Sequence, residues 1–348
     1  MIKTETFTIE HIRAIQHRSK RDPELIERMI FAFGLIEAIA RSGLPFIFKG
    51  GTSLILLMDR PRRFSTDIDI VVKPNTDVDE YLEAAAKIWP FVKNVEHIRN
   101  ATSNIEKRHF KFSYKSPLTE KDRTILLDIV FEDNPYSTTV EKSIENELLL
   151  TEPPTVAVRI PNANGIVADK LTAFAPHTTG IPYNNDKEME IIKQLYDIAA
   201  LMEFIDDFAE VKSNYHSIVL NEFEYRGIDA RPEDALWDTI RATACIAGRG
   251  LLYPDEYNLL KKGITNIRNH IFSESFNGEV ALQRACMVMY LASAVLTNQT
   301  DLPVFKEDDF YISAEVRSEE YNKLAYIKKM DMLAYKHLVE AVKMLMST

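Results

Sequence analysis

Residues 48–54, Phe-Lys-Gly-Gly-Thr-Ser-Leu, and residues 63–70, Arg-Phe-Ser-Thr-Asp-Ile-Asp-Ile, contain the signals that decide the fold. The first stretch predicts a short apolar strand, a tight turn at Gly50 and Gly51, and a helix that begins at once. The second stretch leads into another strand, predicted over 67–73. This order of strand, helix and strand indicates a mixed α/β fold for this part of the chain.

The glycine turn has the features of an anion-binding site. Glycines allow a ligand to approach the backbone closely, and the first turn of a helix has free N–H groups. Thr52 and Ser53 add hydroxyl donors at the same point. A Gly-Gly pair alone is more often only a turn, so the interpretation depends on the residues that follow.

Two acids follow in the second strand. Asp67 and Asp69 are two residues apart, so they share one face of the strand, while Ile68 and Ile70 point into a core. Carboxylates this close repel each other unless a cation lies between them, and oxygen ligands suit Mg²⁺ or Mn²⁺.

A third acid, Asp128, lies in the apolar strand 125–131, where an unpaired charge would be costly. It is explained if it faces the same cations, since carboxylates that bridge two metals serve in-line phosphoryl transfer. Asp67, Asp69 and Asp128 are therefore the candidate catalytic and metal-binding residues.

Composition and length indicate the number of domains, the possible partners and the cellular location. The chain has 348 residues, 46% of them hydrophobic, which predicts two domains with substantial cores at roughly 100–200 residues per domain. The formal net charge of −10 disfavours non-specific binding to nucleic acid but allows a local basic patch. Two cysteines in apolar surroundings indicate buried thiols. Without an export signal or an apolar run of ~18–20 residues, we expect a cytoplasmic protein with no membrane partner.

The pattern along the chain changes at about residue 155. Residues 1–155 predict an α/β domain with a mixed sheet, including a helix that starts at Asp22-Pro23 and a strictly alternating strand over 107–115. Residues 156–348 predict a helical domain after one last strand. The predicted fold class is α+β. Its later helices are expected over 163–175, 186–204, 207–218, 232–248, 254–271, 277–297 and 314–346.

The motifs resemble those of the DNA polymerase β-type nucleotidyltransferase superfamily. Lys-Gly-Gly-Thr at 49–52 and Arg-x-Ser-x-Asp-Ile-Asp at 63–69 resemble the AbiEii/AbiGii family, the toxins of type IV toxin–antitoxin systems. Ala168-Asp169-Lys170-Leu171 looks like the family's lysine-bearing helix, and 193–198, Lys-Gln-Leu-Tyr-Asp-Ile, looks like its later motif. Gln194 departs from the acidic residue expected in many relatives.

The resemblance implies transfer of a nucleotide from a nucleoside triphosphate to an acceptor, which for some members is tRNA, with an antitoxin encoded nearby. It implies Mg²⁺ or Mn²⁺ at the three aspartates, with Asp128 also able to help deprotonate an acceptor hydroxyl. It assigns binding of the triphosphate to the glycine turn and to Lys170. The substrate-binding residues expected from these motifs are Gly50, Gly51, Thr52, Ser53, Arg63, Ser65, Lys170, Lys193 and Asp197.

Several of these residues also have simpler, purely structural interpretations. Lys170 is also explained as a lysine that extends from an apolar helix to solvent, and Lys193 with Asp197 as an i, i+4 surface ion pair. The arginines of 60–63 form either a solvated loop or a phosphate-binding one. The basic face of His109, Lys111 and Lys115 is either an exposed strand face or part of an RNA-binding patch.

Three functions remain open at this point. The first is transfer of a nucleotide to RNA by a toxin. The second is transfer to a small molecule or a protein, which the acidic charge favours slightly. The third is a nucleotide-binding module without catalysis, which the presence of all three carboxylates disfavours.

Overall fold

The computed structural model describes residues 1–58, 60–97, 106–306 and 314–347. The chain forms two compact units. The α/β unit comprises Met1–Asn162 together with Asn269–Glu274, and the helical unit comprises Ala163–Arg268 together with Ser275–Thr348. The division therefore falls later than the expected boundary at 155, and a six-residue segment between two helices of the helical unit belongs to the α/β unit.

A mixed five-stranded sheet forms the centre of the α/β unit, with the strand order β1-β2-β5-β4-β3. Only β2 and β5 run parallel among these neighbours. A separate antiparallel pair is made by β6 and β7. The strands are β1 Ile47–Lys49, β2 Ile68–Val72, β3 Phe91–Glu96, β4 Lys107–Lys115, β5 Asp122–Phe131, β6 Thr139–Ser143 and β7 Ala157–Pro161. The predicted fold class, a mixed sheet followed by helices, is confirmed.

One long helix covers a face of this sheet. It begins where the Asp22 side chain accepts a hydrogen bond from the Glu24 N–H at 2.8 Å, and it ends at Gly43, whose φ is +86°. Both signals are typical of helix ends. Its Phe31 ring stacks on Tyr114 of β4 at 3.8 Å. The helices of this unit are α1 Ile9–Ser19, α2 Pro23–Ser42, α3 Gly50–Leu57 and α4 Asp79–Ala86, with a 3-10 helix at Thr4–Phe7.

Alternation along β4 and β5 separates a core face of the sheet from a polar one. Phe110, Phe112 and Tyr114 are buried, as the strict alternation over 107–115 predicted. Ile125, Leu127 and Ile129 of β5 are buried beside them. Since successive side chains of a strand point to opposite faces, Asp128 and His109 lie on the face away from this core.

The helical unit follows the expected order of helices with two differences in extent. The helix expected over 207–218 continues to Arg226 and ends at Gly227. The expected helix 314–346 is wrong: a 3-10 helix spans Asn322–Lys329, and a new helix begins after Asp331, whose side chain accepts from the Ala334 N–H at 2.6 Å. The helices are α5 Ala163–Ala173, α6 Glu188–Leu201, α7 Phe208–Arg226, α8 Pro232–Ala247, α9 Pro254–Asn266, α10 Gly278–Leu296 and α11 Met332–Met346.

Helix α10 is long and apolar enough to cross a membrane, a property that the sequence analysis did not assign to it. It is the single such helix among the described residues, and 67% of its most apolar window is buried inside the protein. It packs against α8 and α11. We therefore interpret it as the core helix of the helical unit. Cys286 on α10 and Cys245 on α8 are buried free thiols, as expected.

Candidate active site

A row of four polar side chains crosses the polar face of the sheet. Lys49 of β1 pairs in register with Asp69 of β2, Asp69 with Asp128 of β5, and Asp128 with His109 of β4. Residues in register project to the same face, with Cβ atoms about 4.5–5.5 Å apart in an antiparallel pair. The sheet thus brings Asp69 and Asp128 together, although they are far apart in the sequence.

The glycine turn lies directly against this row. Gly50 has a φ of +79°, a conformation that glycine adopts without strain. A Cβ atom at Gly50 would lie 2.1 Å from Oδ2 of Asp69, and one at Gly51 would lie 2.4 Å from a guanidinium nitrogen of Arg63. Both positions therefore need glycine so that the start of α3 can approach the carboxylate row.

The two hydroxyl groups that follow the turn form hydrogen bonds within the protein. Thr52 and Ser53 are fully buried. Thr52 Oγ1 donates to the Asp67 carbonyl at 2.6 Å and lies 2.9 Å from Ser65 Oγ, while Ser53 Oγ donates to the Gly50 carbonyl at 2.9 Å. These bonds tie the start of α3 to the segment before β2. Contact of either hydroxyl with a phosphate stays a prediction.

Arg63 is not part of a solvated loop, because only 6% of the residue is exposed. Its guanidinium donates to the Phe64 carbonyl at 2.9 Å and packs against Gly51. The returning segment 269–274 supports it from the other side. A β-bridge joins Arg63 to Ile271, and the Phe64 N–H donates to the His270 carbonyl at 2.7 Å.

Two of the three aspartates contact a basic side chain, one at a short distance and one at a long distance. Nδ1 of His109 lies 2.7 Å from Oδ1 of Asp128, and their side chains are 17% and 30% exposed. Asp67 immediately precedes β2, is 52% exposed, and lies 4.0 Å from Arg28. The sequence analysis assigned His109 to a basic face and missed its bond to Asp128. Only the register between β4 and β5 reveals it.

Lys170 and Asp197 form a buried pair inside the helical unit. Lys170 Nζ lies 3.1 Å from Asp197 Oδ2 and donates to Gln194 Oε1 at 2.9 Å. The two charged side chains are 8% and 2% exposed. Interpretation of Lys170 as a lysine extending to solvent, and of Asp197 as a surface acid, is therefore wrong. Lys193 forms an ion pair with Glu190 at 3.0 Å.

The carboxylate row fits a divalent cation that completes its shell with substrate. Among the described residues, no three His, Cys, Asp or Glu side chains form a ready-made metal cluster. Mg²⁺ rarely needs one, because it keeps several waters and binds through one or two carboxylates plus substrate phosphates. Asp69 and Asp128 supply oxygen donors side by side, and like charges in that position favour a cation between them.

The chain is a nucleotidyltransferase, because it matches the model of a nucleotidyltransferase family. The chain belongs to the family of AbiEii nucleotidyl transferase toxins of type IV toxin–antitoxin systems, whose model matches residues 35–267. That match covers both the glycine turn with its carboxylates and the Lys170–Asp197 pair.

Solved structures with a related fold are distant. JHP933 from Helicobacter pylori is 13% identical with a TM-score of 0.42, over 78% of this chain and 93% of that one. A putative nucleotidyltransferase from H. pylori is 14% identical with a TM-score of 0.41, over 78% and 96%. An antigenic nucleotidyltransferase-like protein from Paracoccidioides brasiliensis is 13% identical with a TM-score of 0.36, over 55% and 88%. No curated protein matches the chain.

Proposed function

We propose that this nucleotidyltransferase uses Mg²⁺ or Mn²⁺ to transfer a nucleotide from a nucleoside triphosphate to an RNA such as tRNA. We propose further that it does so in the cytoplasm, as the toxin partner of an antitoxin encoded nearby. The observation that carries the proposal is the alignment of Asp69 and Asp128 on neighbouring parallel strands, directly beside Gly50.

The triphosphate would bind at the glycine turn. The first N–H groups of α3, those of Gly50, Gly51 and Thr52, have no carbonyl partner within the helix and suit phosphate oxygens. Divalent cations held by Asp67, Asp69 and Asp128 would neutralise charge on the phosphates. The acceptor hydroxyl oxygen then attacks the α-phosphorus, the bond to pyrophosphate breaks, and Asp128 accepts the hydroxyl proton. Arg63 and Ser65, which lie against Gly51, would hold the glycine turn in place.

The acceptor would approach from the β4 side of the row. In-line displacement requires the attacking oxygen to lie opposite the leaving pyrophosphate. With the phosphates near β1 and β2, the opposite side of Asp128 belongs to β4, whose residues 107, 109, 111 and 115 share the polar face. These residues are Lys107, His109, Lys111 and Lys115. Three lysines and a histidine on one strand favour a polyanion over a small neutral acceptor, despite the net charge of −10.

Lys170, Asp197 and Lys193 of the helical unit remain proposed substrate-binding residues. Asp197 holds the ammonium group of Lys170 in one position, which suits a lysine that must meet a phosphate with little loss of side-chain freedom. The family match includes both residues. Contact of Lys170 with the triphosphate remains part of the proposal.

The test is transfer of label from each α-³²P nucleoside triphosphate in the presence of Mg²⁺ and total tRNA. We expect one triphosphate to label RNA, and the labelling to fall as salt is raised from about 50 to 200 mM because phosphate contacts weaken. Label in protein or in a small product instead would favour a protein or a small molecule as the acceptor. Absence of label in every fraction would contradict the proposal.

Gly50→Ala tests the role of the glycine turn. The new methyl group would collide with Oδ2 of Asp69 at 2.1 Å, so the turn or the carboxylate must move. We expect transfer to fall by about a hundredfold, since small misplacements of reacting groups have effects of this order. The measurement is the initial rate of labelling.

Gly43→Ala is the matched control for that variant. Gly43 also has a positive φ, +86°, but nothing lies within 4 Å of a Cβ there. It shares the backbone strain of about 1–2 kcal/mol without the collision. If both variants lose equal activity, strain rather than displacement of Asp69 is responsible, and the assigned role of Gly50 is wrong.

A further inference from the structure

His109 and Asp69 lie on the two strands that flank the strand of Asp128, His109 on β4 and Asp69 on β2. Asp128 is the middle residue of three in register, with Asp69 on β2 and His109 on β4. Nδ1 of the imidazole lies 2.7 Å from Oδ1 of the carboxylate, a distance typical of a charge-assisted hydrogen bond. An ionised carboxylate only accepts hydrogen bonds, so Nδ1 must carry the hydrogen.

This bond fixes the position of one oxygen of the Asp128 carboxylate. Asp128 is 30% exposed and therefore lies at the edge of the solvent, where a short carboxylate samples several rotamers. With Oδ1 held by β4, the carboxylate keeps one orientation beside Asp69. Its two oxygens have about four lone-pair positions in all, so the hydrogen bond from His109 alone does not use the full capacity of the carboxylate.

We propose that His109 is a positioning residue that orients the Asp128 carboxylate for cation binding beside Asp69. The inference rests on the proposed function, because it assumes that Asp69 and Asp128 bind a divalent cation. Partners that hydrogen-bond metal-binding side chains fix their orientation, and their loss typically weakens metal affinity 10–100-fold.

A purely structural role for His109 makes a different prediction. In that case the bond would stabilise the β4–β5 pair, and any register pair on the same face would have a similar effect. The chain contains such a pair: Lys115 lies opposite Asp122 on the same two strands. The two pairs are separated by an even number of residues along each strand, so they share the same face and the same type of strand pairing.

The experiment measures Mn²⁺ binding to the full chain without nucleotide, by electron paramagnetic resonance of the free ion. His109→Ala should weaken Mn²⁺ binding about 10–100-fold. His109→Asn should recover most of it, because the asparagine amide offers an N–H at a position similar to Nδ1. Asp122→Ala, in the control pair with Lys115, should bind Mn²⁺ like the wild type. Thermal melts show that each variant is folded.

Transfer kinetics give a second readout. We expect His109→Ala to lower kcat with a higher Mn²⁺ requirement, while the KM for the nucleoside triphosphate changes less. His109→Asn should again be close to the wild type. A structural role alone would lower the melting temperature of both the alanine and asparagine variants without changing cation affinity in the folded protein.

The outcomes separate this inference from the proposed function. If wild type binds Mn²⁺, Asp69→Asn loses it and folded His109→Ala keeps it, the role of His109 is overturned while the cation site stands. If wild type fails to bind Mn²⁺, or Asp69→Asn binds as well as wild type, the cation assignment fails and the inference fails with it. If the alanine variant does not fold, failure of folded His109→Asn to retain binding overturns the proposal.

Discussion

Lys170→Ala should lower the free energy of unfolding by about 3–5 kcal/mol, because it removes the ammonium group that pairs with a buried carboxylate. Asp197 is 2% exposed and lies 3.1 Å from Lys170 Nζ. Gln194 would also lose the hydrogen bond it accepts from the lysine. Denaturant unfolding followed by circular dichroism measures the change, with the helical signal reporting on the helical unit.

Lys193→Ala is the control on the same helix as Asp197. The side chains of Lys193 and its partner Glu190 are 15% and 38% exposed, more than the 8% and 2% of Lys170 and Asp197. Ion pairs this accessible contribute about 0–1 kcal/mol, so the control should be nearly as stable as the wild type. Equal losses in the two lysine variants would contradict the interpretation of Lys170 and Asp197 as a buried pair.

A double variant separates stability from function at this pair. Lys170→Met with Asp197→Val removes both charges, and replacing a buried ion pair by apolar groups is often neutral or stabilising. We expect the double variant to unfold close to the wild type but to transfer nucleotide far more slowly. Full transfer by a stable double variant would limit Lys170 to a structural role.

Local signals in the sequence predicted the centre of the α/β unit well. The strand that ends at Lys49, the glycine turn and the strand with Asp69 were expected within one or two residues of their observed bounds. Each depends on chemistry within a few residues: apolar alternation for strands, and the freedom of glycine at a turn. The alternation over 107–115 was equally clear because one face of β4 is buried under α2.

Short or polar elements were not predicted. Strand β3, Phe-Val-Lys-Asn-Val-Glu, lies at the edge of the sheet and has one buried side chain, so its pattern lacks alternation. Strand β6, Thr-Val-Glu-Lys-Ser, has none that is fully buried. Both form because a neighbouring strand offers hydrogen bonds, and that neighbour is not visible in the local sequence.

Side-chain partners in the candidate site depended on register and tertiary packing. The sequence grouped Arg63 with the other arginines of its loop, yet the segment around Ile271, some two hundred residues later, covers it. Likewise, a surface ion pair with Lys193 was one interpretation of Asp197, whereas Asp197 is buried and pairs with Lys170 of another helix. An i, i+4 spacing shows which residues are neighbours on one helix, but not which face is buried.

Asp69→Asn should reduce nucleotide transfer at least a thousandfold while the protein stays folded. Asp69 lies between Lys49 and Asp128 in the polar row and against Gly50. Loss of its charge removes a cation-binding group, and about 4 kcal/mol of transition-state stabilisation corresponds to a thousandfold in rate. The asparagine has the same shape, and it removes repulsion with Asp128. We therefore expect an unchanged or higher melting temperature in the absence of cations.

A loss of activity without a loss of stability is the signature of a functional acid. Asp122→Asn on β5, outside the row, should change neither quantity. In cells, expression of the wild type should arrest growth, and RNA from these cells should be extended by added nucleotides. Cells that express Asp69→Asn should grow normally. If Asp69→Asn still transfers label at the wild-type rate, the carboxylate row is not the active site. If the variant loses transfer in vitro but still arrests growth, toxicity has another cause and nucleotide transfer is not the toxic activity, while the nucleotidyltransferase site stands.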